Sequence, residues 1–155
     1  MRYISFLFAL CIVAGCADNS APSNAERVEL PLQCDEKQIM CSGLYKNTQY
    51  ELTLSEPNLP ALEPLSFVLQ ATDLESEKAE SVSNKGVEAW FEGRDMFMGE
   101  HKLSIDDSSE GVMLEGIIPV CVTGSDMVWR LNILLQHGQE PLRAYADLRS
   151  LTAHE

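Results

Sequence analysis

The sequence predicts an all-β protein, an immunoglobulin-like sandwich of about seven strands. Short apolar runs recur along the chain, and each ends at Gly, Pro, Asn or Asp, as in sandwiches and barrels. In several runs apolar and polar residues alternate, which is the pattern of a strand with one buried face. No window carries an apolar stripe at helical spacing over three turns. The length of 155 residues fits one such domain.

Six runs are the strongest strand candidates. The runs at 50–54 and 127–135 alternate most clearly, and the second stops just before His137 and Gly138. The polar segment 73–85 is interpreted as a loop or a single helical turn. In chain order, the predicted strands are 50–54, 65–69, 87–92, 112–118, 127–135 and 143–148.

The composition excludes several classes of protein. The chain has 11 Lys and Arg against 24 Asp and Glu, a formal net charge of −13. Nucleic-acid binding needs a basic surface, so the acidic balance argues against it. The same balance argues against adsorption to anionic lipid headgroups. With 45% hydrophobic and 23% charged residues, the chain resembles an ordinary globular domain.

The first 15 residues have the pattern of an export signal. Arg2 is the only charged residue before Asp18, and an apolar run lies between them. That run is shorter than the roughly 20 residues needed to span a bilayer. It ends in Val13-Ala14-Gly15-Cys16, which resembles the lipobox of bacterial lipoproteins. The resemblance implies that residues 1–15 are a lipoprotein signal peptide and that Cys16 is acylated.

Lipidation implies a location. Ala17 follows the cysteine, where inner-membrane retention would call for Asp, so we expect the periplasmic face of the outer membrane. Acyl chains such as palmitate contribute about 0.8 kcal/mol per buried methylene, so Cys16 would attach the protein to the lipid bilayer. Residues 16–29 are polar and aperiodic, and we expect a flexible tether. Residues 30–155 are expected to form the β-sandwich domain.

The chain has five cysteines, and they do not all form pairs. Cys11 belongs to the signal and Cys16 to the lipid, which leaves Cys34, Cys41 and Cys121. Exported cysteines meet an oxidising compartment, so the near pair Cys34 and Cys41 predicts a disulfide that pins the start of the domain. Other pairings, such as Cys41 with Cys121, stay open at this point.

Sulfur and imidazole side chains gather in the second half of the sequence. Met96 and Met98 share one face of an extended chain, and His101 follows across a glycine. Cys121 and Met127 flank a Thr-Gly-Ser-Asp turn, which would bring both to one edge of a sheet. Thioether, thiolate and imidazole are the donors that Cu(I) prefers, whereas Ca²⁺ and Mg²⁺ need oxygen. The sequence therefore predicts a copper site with Met96, Met98 and Cys121 as core ligands and His101 or Met127 completing the set.

Two methionines in a strand have an alternative interpretation, because methionine often fills gaps in a core. In that case Cys121 is buried and inert, and the protein is a metal-free structural or protein-interaction lipoprotein of the cell envelope. Charged residues flank Met96 and Met98, however, which favours a partly exposed loop. The accessibility of the Cys121 thiol with and without Cu(I) distinguishes the two interpretations.

Three short elements carry a resemblance to a known group of proteins. They are Met96-x-Met98-Gly99, Pro119-x-Cys121 and Met127-x-Trp129. Over about residues 90–135 the chain resembles the FixH/YtkA-like periplasmic β-sandwich proteins and related accessory lipoproteins of cytochrome oxidase assembly. The resemblance implies copper handling with a periplasmic copper protein as partner. The chain departs from better-known periplasmic copper chaperones in lacking a second nearby histidine.

Other candidate sites have weaker patterns. The chain has no Gly-x-Ser-x-Gly, His-Glu-x-x-His, Walker or dinucleotide fingerprint, so we expect no enzyme activity. The acidic run 106–111 lacks the spacing of a calcium loop and is interpreted as a hairpin turn. His137 and His154 are expected to be exposed, and Trp90 and Trp129 to pack in the core.

Overall fold

The computed structural model describes residues 27–35, 37–55, 59–76, 78–80, 82–119 and 127–149. Within these ranges the fold contains strands and no helix, so no helix there has the length and apolarity needed to cross a bilayer. The strands are β1 (Val28–Pro31), β2 (Gln33–Cys34), β3 (Met40–Tyr45), β4 (Thr48–Leu54), β5 (Pro64–Asp73), β6 (Lys78–Glu80), β7 (Glu88–Gly93), β8 (Glu100–Lys102), β9 (Ser104–Ser108), β10 (Gly111–Ile117), β11 (Val128–His137) and β12 (Glu140–Arg149).

The strands form two sheets, which confirms the predicted sandwich. One sheet has five strands in the order β1-β12-β11-β7-β8. The other has seven, in the order β2-β3-β4-β5-β10-β9, with β6 attached to β5. In the strand lettering of immunoglobulin domains, β5-β10-β9 correspond to strands B-E-D. Strands β12-β11-β7 correspond to strands G-F-C. The pairing of β1 with β12 is parallel, and the other pairs are antiparallel.

The core lies between the sheets and is built from alternate residues of the strands. In β5, for example, buried and partly exposed side chains alternate from Leu65 to Ala71. Phe67 of β5 meets Phe91 of β7 across the core, with ring centroids 5.7 Å apart in an edge-on arrangement. Trp129 of β11 is 1% exposed, as predicted. These contacts bury the apolar face of each sheet against the other.

The six predicted strands are all present, and none of the predicted runs extends more than one residue beyond its strand. β1 begins at Val28, two residues before the domain start expected at residue 30. The segment 73–85, predicted as a loop or helical turn, contains the short strand β6. The acidic run 106–111 does form the hairpin between β9 and β10.

Two ends of the sandwich can be distinguished by the register of the strands. Gly93 at the end of β7 pairs with Trp129 near the start of β11, and Ile117 at the end of β10 pairs with Pro64 at the start of β5. The connections that follow β4, β7 and β10 therefore leave the same end, which we call the loop end. Val28 pairs with the start of β12 at the opposite end, beside the β11–β12 turn, which we call the turn end.

Trp90 was expected in the core, and the structure corrects this. Its neighbours Ala89 and Phe91 are the buried residues of β7, so Trp90 lies on the outer face of the five-stranded sheet. The guanidinium of Arg143 lies 5.8 Å from the centroid of its indole ring. Arg143 also donates to Oδ1 of the buried Asn132 at 2.7 Å, which satisfies that polar group.

An ion pair joins β11 and β12 on the same outer face. Arg130 donates to both carboxylate oxygens of Asp147, at 2.7 and 3.0 Å, and its guanidinium lies 4.4 Å from the centroid of the Tyr145 ring. The hydrogen bonds from Arg130 hold the pKa of Asp147 below its usual value, against the opposing effect of burial. Charge-assisted bidentate geometry of this kind is among the stronger polar contacts in proteins.

Candidate metal site

Four of the five predicted copper ligands lie near one corner, at the loop end of the five-stranded sheet. Met96 and Met98 are in the connection between β7 and β8, His101 is the middle residue of β8, and Met127 directly precedes β11. The β7 register, which pairs Phe91 with His101 and Gly93 with Trp129, brings these segments side by side. Cys121 and the predicted lipidation site Cys16 lie outside the described residues.

Gly93 is the point where the β7–β8 connection folds back onto the sheet. The carbonyl oxygen of Met96 occupies the space that a Cβ on Gly93 would need, and Cε of Met127 would lie 2.9 Å from that Cβ. Only glycine permits so close a backbone approach. The contact places the backbone of Met96 and the thioether arm of Met127 against the same residue, which is how the fold brings two distant parts of the sequence together.

One ring nitrogen of His101 is engaged in a hydrogen bond to the backbone. Its Nε2 lies 3.0 Å from the carbonyl oxygen of Met98. A carbonyl can only accept, so Nε2 carries the hydrogen and, in the neutral ring, Nδ1 presents a lone pair. Histidine ligands typically donate their other ring N–H to a carbonyl or carboxylate in this way. No hydrogen bond to Nδ1 is formed by the residues that the structure describes.

The imidazole of His101 is also held by a buried aromatic ring. Its ring centroid lies 6.0 Å from that of Trp129, with the ring planes at 76°. Edge-on contacts of this kind restrict the orientation of both rings. Metal binding at His101 could therefore be followed by the fluorescence of the neighbouring Trp129.

The three methionines of the site differ in exposure. Met96 is 50% exposed, Met98 is partly buried against the core, and Met127 is 7% exposed. The burial of Met127 agrees with the core-filling alternative, whereas the exposure of Met96 does not. Across the described ranges, no three His, Cys, Asp or Glu side chains are grouped as metal ligands, so this candidate site depends on thioether sulfur.

Cys34 and Cys41 are joined by a disulfide, with Sγ atoms 2.03 Å apart. The two residues face each other in the register of β2 and β3, and Cys41 is fully buried. The near pair expected from the sequence is therefore formed, and the alternative pairing of Cys41 with Cys121 is not. The crosslink fixes the short edge strand β2 to the seven-stranded sheet.

Two features of the surface were not predicted. His137 was expected to be exposed, yet it is partly buried at the turn end, with Nδ1 2.9 Å from Oη of Tyr50 and its ring edge-on to Tyr45. At the loop end, Phe97 is 81% exposed between the two methionines. Alternation of Phe97 with Met96 and Met98 predicts that one set is exposed, but Met96 is exposed as well, so alternation alone does not single out Phe97.

Comparisons with known proteins add little to this geometry. No protein-family model and no curated protein sequence matches the chain. A solved structure similar to it is that of a DUF4785 family protein from Legionella pneumophila subsp. pneumophila str. Philadelphia 1, at 13% sequence identity and a TM-score of 0.47. The similarity covers 68% of this chain and 29% of that chain, so this chain spans less than a third of that protein. The two share too little for residue roles to pass from one to the other.

Proposed function

We propose that this protein binds a copper ion, as Cu(I), at the loop end of the sandwich and holds or transfers it in the periplasm. Met96 and Met98 remain proposed core ligands. His101 joins them in place of Cys121, which lies outside the described residues, and Met127 or Cys121 completes the set. The observation that carries the proposal is the hydrogen bond from His101 Nε2 to the Met98 carbonyl, 3.0 Å long, which commits one ring nitrogen and frees the other.

The donor set decides the metal. Two or three thioethers with one imidazole suit a soft monovalent ion, whereas zinc uses methionine poorly and calcium requires oxygen. Met96 is half exposed, while Met127 is nearly buried. An accessible ligand next to a protected one suits stepwise exchange, because an incoming thioether or thiolate can replace Met96 before the ion leaves.

The proposal includes an envelope location. Acylation of Cys16 would place the protein on the periplasmic face of the outer membrane, where copper is handled outside the cytoplasm. The first described strand begins at the turn end, on the side of the domain away from the proposed site. A tether attached there leaves the loop end free to face the periplasm and its partner copper protein.

The test is an anaerobic titration with Cu(I) against a competing chelator, using protein expressed from its full coding sequence and purified in detergent. We expect one-to-one binding, with quenching of Trp129 fluorescence because His101 contacts that ring. Loss of a residue that merely supports a ligand costs roughly 10–100-fold in metal affinity, and removal of two ligands should cost more. Met96→Leu combined with Met98→Leu should therefore abolish competition with the chelator.

Met40→Leu is the matched control, because Met40 is 46% exposed but lies on β3 of the other sheet. Its affinity for Cu(I) should equal that of the unaltered protein. If the double variant binds as well as the unaltered protein, the ligand assignment is wrong. If the unaltered protein itself does not compete with the chelator for Cu(I), the metal-free interaction protein becomes the better description.

A further inference from the structure

Several large apolar side chains among the described residues are exposed at the loop end. Phe97 is 81% exposed, Leu62 66%, Ile117 51% and Met96 50%. A hydrogen bond from the Leu62 N–H to the Ile118 carbonyl oxygen, 2.9 Å long, ties the β4–β5 connection to the end of β10. Single exposed apolar residues are ordinary, but several at one end of a small domain mark an interaction surface.

Exposed carboxylates occur on the same connections and strand ends as these apolar side chains. Glu63 adjoins Leu62 in sequence, Asp95 adjoins Met96, Glu115 lies on β10 shortly before Ile117, and Glu100 begins β8; all four are exposed. Of these four carboxylates, only Asp95 has an ion-pair partner among the described residues, Arg94 at 3.6 Å. The loop end therefore combines an apolar centre with a largely uncompensated negative rim.

We propose that the loop end is the docking site for a different protein, one whose own surface has an apolar centre bordered by Lys and Arg. Such a partner removes the apolar side chains from water and neutralises the carboxylates around them. The proposal goes beyond copper binding and does not depend on it, because its evidence is the exposure and charge of residues that need no metal.

The charges also decide against two other occupants. A bilayer would have to accept carboxylates carried by the same connections as Leu62 and Phe97, close to headgroups that are often anionic. A second copy of the chain would bring two acidic rims together, and like charges across an interface are unfavourable. A basic-rimmed protein meets neither obstacle.

The experiment places a photoreactive phenylalanine derivative at position 97 of the full chain, and in a second variant at position 62, in intact cells. Leu44 and Leu74, which are 57% and 47% exposed at the turn end, provide matched control positions. We expect a protein adduct from positions 97 and 62 and at least about fivefold less from the controls. The attached peptide should be apolar and flanked by Lys or Arg.

Two further arms make the result decisive. Asp95→Lys combined with Glu100→Lys should reduce the adduct at position 97 at least about fivefold, because the rim would then repel a basic partner. The adduct should persist with a copper chelator present, and this separates docking from metal binding. An adduct with lipid or with a second copy, no adduct, equal yields at the control positions, an acidic target peptide or indifference to the charge reversal would each overturn the proposal.

Discussion

Replacing Gly93 by alanine should destabilise the fold and the candidate site together. A Gly→Ala change where the backbone conformation suits both residues stabilises a protein by about 0.4–1 kcal/mol, because it restricts the unfolded chain. Gly93 has no positive φ, so its backbone would suit alanine. The obstacle is space, since the new Cβ would collide with the Met96 carbonyl oxygen and lie 2.9 Å from Cε of Met127.

The loss of stability in Gly93→Ala depends on which atoms must move to make room for the new Cβ. The methionine arm can turn aside, but the Met96 carbonyl belongs to the backbone of the connection that returns over β7. Overpacking of this kind costs about 1–3 kcal/mol. A loss of about 2 kcal/mol lowers the melting temperature of a protein of this size by about 4–8 °C. Because the displaced connection carries Met96 and Met98, we also expect weaker Cu(I) binding in the same variant.

The assay is urea and thermal unfolding followed by circular dichroism, with the Cu(I) titration run in parallel. Gly116→Ala is the comparison, because its new Cβ would meet the side-chain Cγ of Leu103 at 2.9 Å and no backbone atom. A side chain can adjust where a backbone cannot, so the loss should be smaller. An unchanged or raised melting temperature for Gly93→Ala would refute the argument that backbone contact at this residue holds the connection in place.

Two further predictions concern stability. The pKa of Asp147 is lowered chiefly by hydrogen bonds from Arg130, so its contribution is present above about pH 4 and is lost as the pH falls towards the folded-state pKa. The stability difference between the unaltered protein and Asp147→Asn should therefore shrink as the pH falls below about 4; a constant difference would contradict this. Cys34→Ser combined with Cys41→Ser opens a small loop between residues 7 apart and should lower the free energy of unfolding by about 2.5 kcal/mol, measured in urea; equal stability would contradict it.

Strands in the middle of the sheets were predictable, and short edge strands were not. A central strand such as β5 buries one face along its length, so its apolar residues alternate and the sequence shows it. β2 and β6 have 2 and 3 residues, too few for any period to appear. They become strands because a neighbouring strand offers unpaired backbone groups, which is a property of the assembled sheet.

Alternation predicts which residues share a face but not which face is inside. The segment Ala89-Trp90-Phe91 has apolar residues on both faces, and the size of tryptophan favours placing it in the core. The structure buries Ala89 and Phe91 because Phe91 meets Phe67 across the core. Trp90 is left outside, where Arg143 lies over its ring.

Sequence spacing predicted part of the candidate site, and tertiary contacts determine the rest. Spacing alone brings Met96, Met98 and His101 together, since they lie within six residues on adjoining elements. The approach of Met127 depends on Gly93 and on the return of the chain over it, a tertiary contact without a sequence signature. The exposure of Phe97 depends on the same folding back of the connection.

The parallel pairing of β1 with β12 has a mechanical consequence. Val28 to Pro31 pair with Leu142 to Tyr145, and the chain before Val28 leaves at the turn end. A pull on that preceding segment, directed away from the turn end, acts along the strand axis. The hydrogen bonds between β1 and β12 then resist in shear, all at the same time, instead of opening one after another. A domain held from its N-terminus and gripped at its loops would meet tension in its more resistant direction.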